Sequence, residues 1–475
     1  MEKSSKLHRL LSTCTGYELR RFKVFLESPY FNLRPEILRI WDLLRPYFPN
    51  SEEPLPEAAA VHAAAYPGQA FDAARLRHLL SELTKLVEEF WCMQQLQQRP
   101  DIQDAQLLHV LDARHLDQDF DSAMQAAQSR LLGELQRGPE YLRQRLDLAL
   151  LQHDHEANRS NRGAQPGLNA ALEALDEDYF TQKLRLGAAA VNRANVLGGQ
   201  AEVPMLHEVA QHLAEAPSVV YEGSLAEAYR LALRTLSPTP DEAAHRQLLE
   251  LLQDAEGRFP ALQMSELYTY ALNFCVRMLN QGEPGYDAEL FRLYAICLER
   301  GYLSEDGLLP VPHYKNFVTL GLRLSRTDLV AGQIESLAQQ LSEEVRIHAL
   351  TFSKAALAFH QGDFKTCLKL LQKIEFVDVY YHLDAKSLLL KAYFEQGETE
   401  PLISLIESFK IYLRRSRKIS DYQRQTYRNQ IRIVQMLVRY RLGSRTGLGE
   451  IEAALESLRP IADLAWLERK VQEAE

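Results

Sequence analysis

The sequence lacks the features that mark secreted and membrane-spanning proteins. Its 475 residues include five cysteines, an odd number, scattered without Cys-x-x-Cys spacing. This usage indicates neither a disulfide framework nor a cysteine-based metal site. No run approaches the roughly 18 apolar residues of a membrane span, and residues 1–16 lack the apolar core of an export signal. We therefore expect a soluble protein of the reducing cytoplasm.

An excess of positive charge is also missing. The net charge is −10, with 46% hydrophobic and 25% charged residues. These fractions are ordinary for globular domains and exclude large-scale disorder. Because phosphate binding needs a basic surface, the charge argues against a chain that coats nucleic acid along its whole length.

Motifs for catalysis are absent as well. The chain has no Gly-x-Ser-x-Gly, phosphate-cradling glycine-rich loop or dinucleotide fingerprint. Two histidine pairs come nearest to a metal site, His153 with His155 and His207 with His212. On a regular helix the members of these pairs lie about 200° and about 140° apart, so neither pair can bind one ion. We favour solvated helix faces for both, and expect no metal, no cofactor and no catalytic residue.

Helical periodicity dominates the sequence. Apolar residues recur at helical spacing, as in residues 76–90, and strand-like alternation is nearly absent. Prolines follow at helix-length intervals from Pro100 onwards, and proline is tolerated in the first turn of a helix but not in its interior. The pattern predicts an all-α fold of stacked antiparallel hairpins.

A repeat of 35 residues supports this prediction. Residues 354–364 and 389–399 align when Gly362 is placed on Gly397. Each copy has a phenylalanine three positions before the glycine and an acidic residue directly after it. The pattern resembles the tetratricopeptide repeat. This resemblance implies an α-solenoid of helical hairpins with a concave groove.

These patterns divide the chain into three predicted segments. We expect a helical head at residues 1–98, bridging helical hairpins at 102–236, and a tetratricopeptide-like α-solenoid at 237–475. The head contains Ser-Pro-Tyr-Phe-Asn at residues 28–32, which indicates a helix end followed by a turn. We favour packing of its two aromatic residues, Tyr30 and Phe31, into the core of the head. A role in binding a ligand or partner is the alternative.

Further motifs accompany Ser-Pro-Tyr-Phe-Asn. They are Asn-x-Cys-x-Arg-x-x-Asn-Gln-Gly at residues 273–282 and Asp-Val-Tyr-Tyr-x-Leu-Asp-Ala at 378–385. Together the three motifs resemble those of an uncharacterised bacterial family of all-helical, tetratricopeptide-like proteins. The resemblance covers most of the chain, and it implies a fold but no activity.

Polar residues mark a candidate ligand groove. Asn273, Arg277 and Asn280 lie at i, i+4 and i+7 on one stripe of a predicted helix, and Asn316 and Arg323 repeat the i, i+7 spacing. Such side chains on the inner helices of a repeat array can hold the backbone or the terminal carboxylate of a peptide. The alternative is structural hydrogen bonding and helix capping.

A basic tract is the strongest charge anomaly. Residues 410–441 contain ten lysines and arginines and one acidic residue, Asp421. The candidate basic stripe comprises Arg414, Arg415, Arg417, Lys418, Arg424, Arg428 and Arg432. Like charges four residues apart on a helix repel one another. An acidic group should offset them, either within the fold or on a protein, peptide or nucleic-acid partner.

These observations favour a non-enzymatic scaffold or adaptor that binds a protein or peptide in the groove of a helical array. The alternative is a nucleic-acid-linked regulator, because residues 55–90 loosely resemble the winged-helix head of some regulators that carry tetratricopeptide arrays. Residues 1–100 are close to neutral, however, where a DNA-reading head should be basic. We expect no membrane partner, and the sequence leaves the oligomeric state open.

Overall fold

The computed structural model of the protein describes residues 5–49, 53–159, 166–197, 199–215, 222–281, 283–372, 379–416, 419–443 and 447–474. Over these ranges the chain forms 23 α-helices and no β-strand, apart from an isolated bridge between Glu305 and Leu308. The predicted all-α class is confirmed. No helix in the same ranges is long and apolar enough to cross a membrane.

The chain divides into two units, one of residues 1–135 and 139–178, the other of residues 136–138 and 179–475. The boundary falls within α9 (Pro166–Leu197), inside the predicted bridging segment. The first unit contains α1 (Lys6–Ser12), α2 (Gly16–Glu27), α3 (Pro35–Leu44), a 3₁₀ turn (Arg45–Tyr47), α4 (Ala58–Ala65), α5 (Ala73–Gln97), α6 (Pro100–Ala113), α7 (Asp117–Leu132) and α8 (Pro139–Arg159).

The second unit contains the end of α9 and the helices that follow it. They are α10 (Leu206–Glu215), α11 (Leu225–Thr235), α12 (Glu242–Asp254), α13 (Ala261–Gln281), α14 (Tyr286–Glu299), α15 (Val311–Arg323), α16 (Thr327–Gln339), α17 (Glu343–His360), α18 (Phe364–Leu371), α19 (Val379–Gln396), α20 (Thr399–Arg415), α21 (Asp421–Arg441), α22 (Leu448–Ser457) and α23 (Leu464–Gln472).

Local sequence signals set the helix boundaries. Pro100, Pro139 and Pro166 are each the first residue of a helix, as their spacing predicts. The turn between α17 and α18 requires Gly362, whose φ is +79°, a region that costs other residues energy. Asp363 directly after it accepts a hydrogen bond from the Thr366 backbone and caps α18. In this copy of the repeat, the glycine therefore lies in the turn that ends one helix, and the acidic residue after it caps the next helix.

Aromatic side chains form the core of the head. Phe22 packs edge-on against the buried Trp41, with 4.9 Å between ring centroids. Phe31 stacks on Phe25 at 4.1 Å, so its predicted packing role is confirmed. The prediction is wrong for Tyr30, whose side chain is 88% exposed. The Tyr30 ring contacts the Phe31 ring edge-on, with 4.9 Å between centroids, but only Phe31 packs against the core. Asn32 holds the turn by donating to the Leu26 carbonyl.

Each helix of the second unit from α11 to α20 packs against the next helix along the chain. In addition α15, α17, α19 and α21 pack successively on one another, whereas the described residues of α16, α18 and α20 form no comparably extensive contacts with one another. One continuous apolar core runs from Leu184 to Val471 through these described helices. At the α15–α16 contact a side chain at Gly321 would clash with Val330 and Phe291. Close helix approach therefore depends on that glycine.

Candidate functional site

A cavity of about 210 Å³ lies in the second unit, along the successive helices α15, α17, α19 and α21. Polar side chains line it together with apolar ones, and the segment before α23 contributes Ala462 and Asp463. The polar lining residues are Lys315, Thr319, His360, Asp384, Ser387, Lys391, Tyr427 and Asp463. Seven of them come from four helices that are widely separated in sequence, and Asp463 comes from the segment before α23.

One end of the polar lining centres on Asp384. Its carboxylate forms an ion pair with Lys315 from α15 and accepts a hydrogen bond of 2.6 Å from the Tyr427 hydroxyl of α21. Burial, followed by the negative charge of Asp384, raises the pKa of Tyr427. Tyr427 therefore stays protonated and acts as a hydrogen-bond donor.

The other end centres on Asp463. This carboxylate lies 2.8 Å from the Lys391 ammonium and accepts hydrogen bonds from Ser387 at 2.7 Å and Gln430 at 3.1 Å. Desolvation favours the neutral acid, but Lys391 and the two hydrogen bonds outweigh it and lower the pKa of Asp463. Asp463 has a φ of +52°, a conformation that aspartate tolerates better than most residues.

The lining thus carries two lysines and two aspartates whose charges balance. Each carboxylate contacts an ammonium group and a hydroxyl group, and Asp463 also accepts a hydrogen bond from an amide. Mixed charges beside apolar Phe352 and Leu388 are suited to a ligand with both donor and acceptor groups.

The predicted groove residues lie elsewhere, and none of the five is among the lining residues described for this cavity. Arg277 donates to the carbonyls of Thr235 and Ser237, both at 2.7 Å, and so satisfies the carboxyl end of α11. Asn273 donates to Asn192 of α9 at 2.8 Å. Both side chains make structural contacts between helices, which was the alternative interpretation.

The remaining three groove residues are exposed. Asn316 donates to the Tyr294 hydroxyl at 3.0 Å, while Asn280 and Arg323 lie in the last turns of α13 and α15. Asn316 and Arg323 are sequence neighbours of the lining residues Lys315 and Leu322. The helix that the sequence singled out, α15, therefore does contribute to the cavity, but through adjacent positions.

The basic stripe divides into structural and exposed positions. Arg424 donates to the carbonyls of Leu413, Ser416 and Ile419, and so closes the connection between α20 and α21. Other arginines of the tract are exposed and have no hydrogen bond or ion pair with any described residue: Arg414, Arg415, Arg428, Arg432 and Arg439. Arg417 and Lys418 lie outside the described residues.

The histidine pairs differ in exposure. His207 and His212 are exposed, as expected. The expectation is wrong for His155, which is buried, stacks on Phe120 at 3.7 Å between ring centroids and pairs with Asp112. Helices α6, α7 and α8 pack together and enclose this ring. The apolar periodicity of the sequence did not reveal that α8 is covered by both α6 and α7.

Sequence reasoning missed the residues that the structure brings together. The sequence does contain a signal for two of them. Lys391 interrupts the apolar run of residues 388–394, and Asp384 falls in one of the motifs quoted above. The structure also places three metal-ligand side chains together, His245, Cys275 and Glu289. They come from three helices, so no spacing rule could find them.

Comparison of the chain with protein-family models, with curated proteins and with solved structures finds no match.

Proposed function

We propose that the second unit is an α-solenoid of tetratricopeptide-like hairpins that binds a peptide segment of a partner protein in the cavity lined by α15, α17, α19 and α21. The order of helix packing supports this fold, because the four alternate helices α15, α17, α19 and α21 form a row. In such arrays the row of inner helices lines the binding groove. The head and the hairpins before α11 then serve as parts of a scaffold.

The observation that carries the proposal is the pairing of Lys315 with Asp384 and of Lys391 with Asp463 in one cavity. A peptide offers amides, carbonyls and charged side chains to such a lining. An ammonium group has three hydrogen-bond donors, so each lysine can contact a ligand carboxylate while it keeps its aspartate partner. We expect the ligand to present at least one carboxylate to Lys315 or Lys391.

Photo-crosslinking tests this proposal. A photoreactive amino acid at Thr319, an exposed lining position, should join the full-length protein to a partner in the native cell. The same amino acid at Ile403, exposed on α20, is the control. Equal crosslinking from both positions, or none from Thr319, would contradict the proposal.

A binding measurement with the captured partner then tests the lysines. Lys391→Gln should weaken binding at least about tenfold, since it removes a charge from the desolvated lining. Lys354→Gln is the matched control, because Lys354 also forms an ion pair but with the exposed Glu335. It should leave the affinity unchanged within about twofold.

The exposed arginines of α21 favour a second candidate function, binding of nucleic acid. Arg428, Arg432 and Arg439 fall within an arc of about 40° on the helix. A gel shift at low salt that disappears when all three are changed to glutamate would support the regulator hypothesis. No shift at any salt concentration would remove it. The described residues of the head form helices and no β-strand, so they do not support the winged-helix resemblance of residues 55–90.

A further inference from the structure

Three side chains from three helices converge at one point in the second unit. His245 lies on α12, Cys275 on α13 and Glu289 on α14. The Nε2 atom of His245 is 3.2 Å from Oε1 of Glu289 and 3.7 Å from Sγ of Cys275. All three potential ligand atoms lie within 4.8 Å of one another.

The spacing fits a tetrahedral ion. Zinc bonds of about 2.0–2.1 Å to nitrogen and oxygen and about 2.3 Å to sulfur place neighbouring ligand atoms about 3.3–3.6 Å apart. The two separations from Nε2 lie close to these ligand–ligand distances, and the third, between Sγ of Cys275 and the Glu289 carboxylate, is within 4.8 Å. A hydrogen-bonded cluster explains the convergence less well, because Nε2 carries at most one proton and both other groups approach that single atom.

The surroundings hold the candidate ligands in place. The His245 ring stacks on Phe274 with 4.4 Å between centroids, and this contact fixes the direction of Nε2. His245 and Cys275 are almost completely buried, whereas the Glu289 side chain is 32% exposed. The carboxylate side therefore gives an entry path, and it leaves a fourth position for water.

We propose that His245, Cys275 and Glu289 bind one transition-metal ion of the zinc class, with water as fourth ligand. A thiolate, an imidazole and a carboxylate form a mixed donor set that suits Zn²⁺ or Co²⁺ and disfavours Mg²⁺ and Ca²⁺. Thiolate and carboxylate together neutralise the dication in this buried position. The bound ion joins α12, α13 and α14, and it stabilises these hairpins independently of any ligand in the cavity described above.

Cobalt titration of the full-length protein tests the proposal. The protein carries Cys92→Ser, which removes the exposed thiol, and is first stripped with a chelator. One equivalent of Co²⁺ should produce a sulfur-to-metal charge-transfer band in the near ultraviolet and the visible bands of tetrahedral cobalt. Zn²⁺ should abolish both sets of bands and raise the melting temperature. Absence of the bands in this folded protein would overturn the proposal.

Matched variants assign the ligands. Cys275→Ser should abolish the charge-transfer band, whereas Cys297→Ser should retain it, although both cysteines are fully buried. Glu289→Gln, at a partly exposed position, should lower the affinity at least about tenfold. A band that persists without Cys275, or that is lost equally with Cys297→Ser, would refute the assignment.

Discussion

Replacing Asp463 with asparagine removes one negative charge from the polar lining and keeps the size of the side chain. Asparagine tolerates the left-handed backbone conformation of this position, where φ is +52°. Its side-chain oxygen can still accept the hydrogen bonds from Ser387 and Gln430. The variant therefore removes the counter-charge of Lys391 and the oxygen that contacts it, and it keeps the acceptor for the other two side chains.

The structure sets the size of the effect. Breaking a fully buried ion pair costs about 3–5 kcal/mol, and an exposed pair contributes about 0.2–1 kcal/mol. The Lys391 side chain is 11% exposed and that of Asp463 is 34% exposed, so the pair lies between these limits. We expect Asp463→Asn to lower the free energy of unfolding by about 2 kcal/mol.

Urea denaturation followed by tryptophan fluorescence measures this loss. The protein has three tryptophans, and changing Trp41 and Trp91 to phenylalanine leaves Trp466 as the local reporter, on α23 and three residues after Asp463. The double variant Lys391→Met with Asp463→Asn should recover part of the loss, since no charge is then left unpaired. A cost no greater than that of Glu335→Gln, at the exposed pair with Lys354, would refute the reasoning.

The pH dependence of the same variant has a definite sign. The pKa of Asp463 in the folded protein lies below its ordinary value of 3.8. Its contribution to stability is therefore complete above that value and is lost as pH falls through the lower folded pKa. Asp463→Asn should remove this part of the acid destabilisation, so the wild type and variant curves should converge below about pH 4.

Two further pairs of variants test the fold. Gly362→Ala should destabilise the protein by about 1–2 kcal/mol because alanine is strained at φ +79°. Gly332→Ala, inside α16 with open space around it, should instead stabilise by about 0.5–1 kcal/mol; equal effects in urea denaturation would contradict the turn assignment. Arg277→Met should cost about 1–3 kcal/mol because two carbonyls lose their charged donor. Arg323→Met, at an exposed position, should cost less than about 0.5 kcal/mol, and thermal unfolding of the two variants distinguishes capping from groove lining.

The sequence by itself determined the helices and many of their ends. Apolar periodicity, the prolines that begin α6, α8 and α9, and the glycine after α17 act within a few residues of one another. Such signals are local, because a helix closes its hydrogen bonds four residues apart. The all-α class could therefore be predicted, as could the turn at Gly362.

The tertiary structure decided which polar groups meet. Lys391 and Asp463 are 72 residues apart, and a sequence pattern does not encode their contact. Arg277 was correctly placed on a helix, yet only packing against the end of α11 directs its guanidinium to two carbonyls. The lining of the cavity and the cluster around Cys275 both require several helices to pack in one order. Long-range packing, which depends on the whole core, fixes the partners of these side chains.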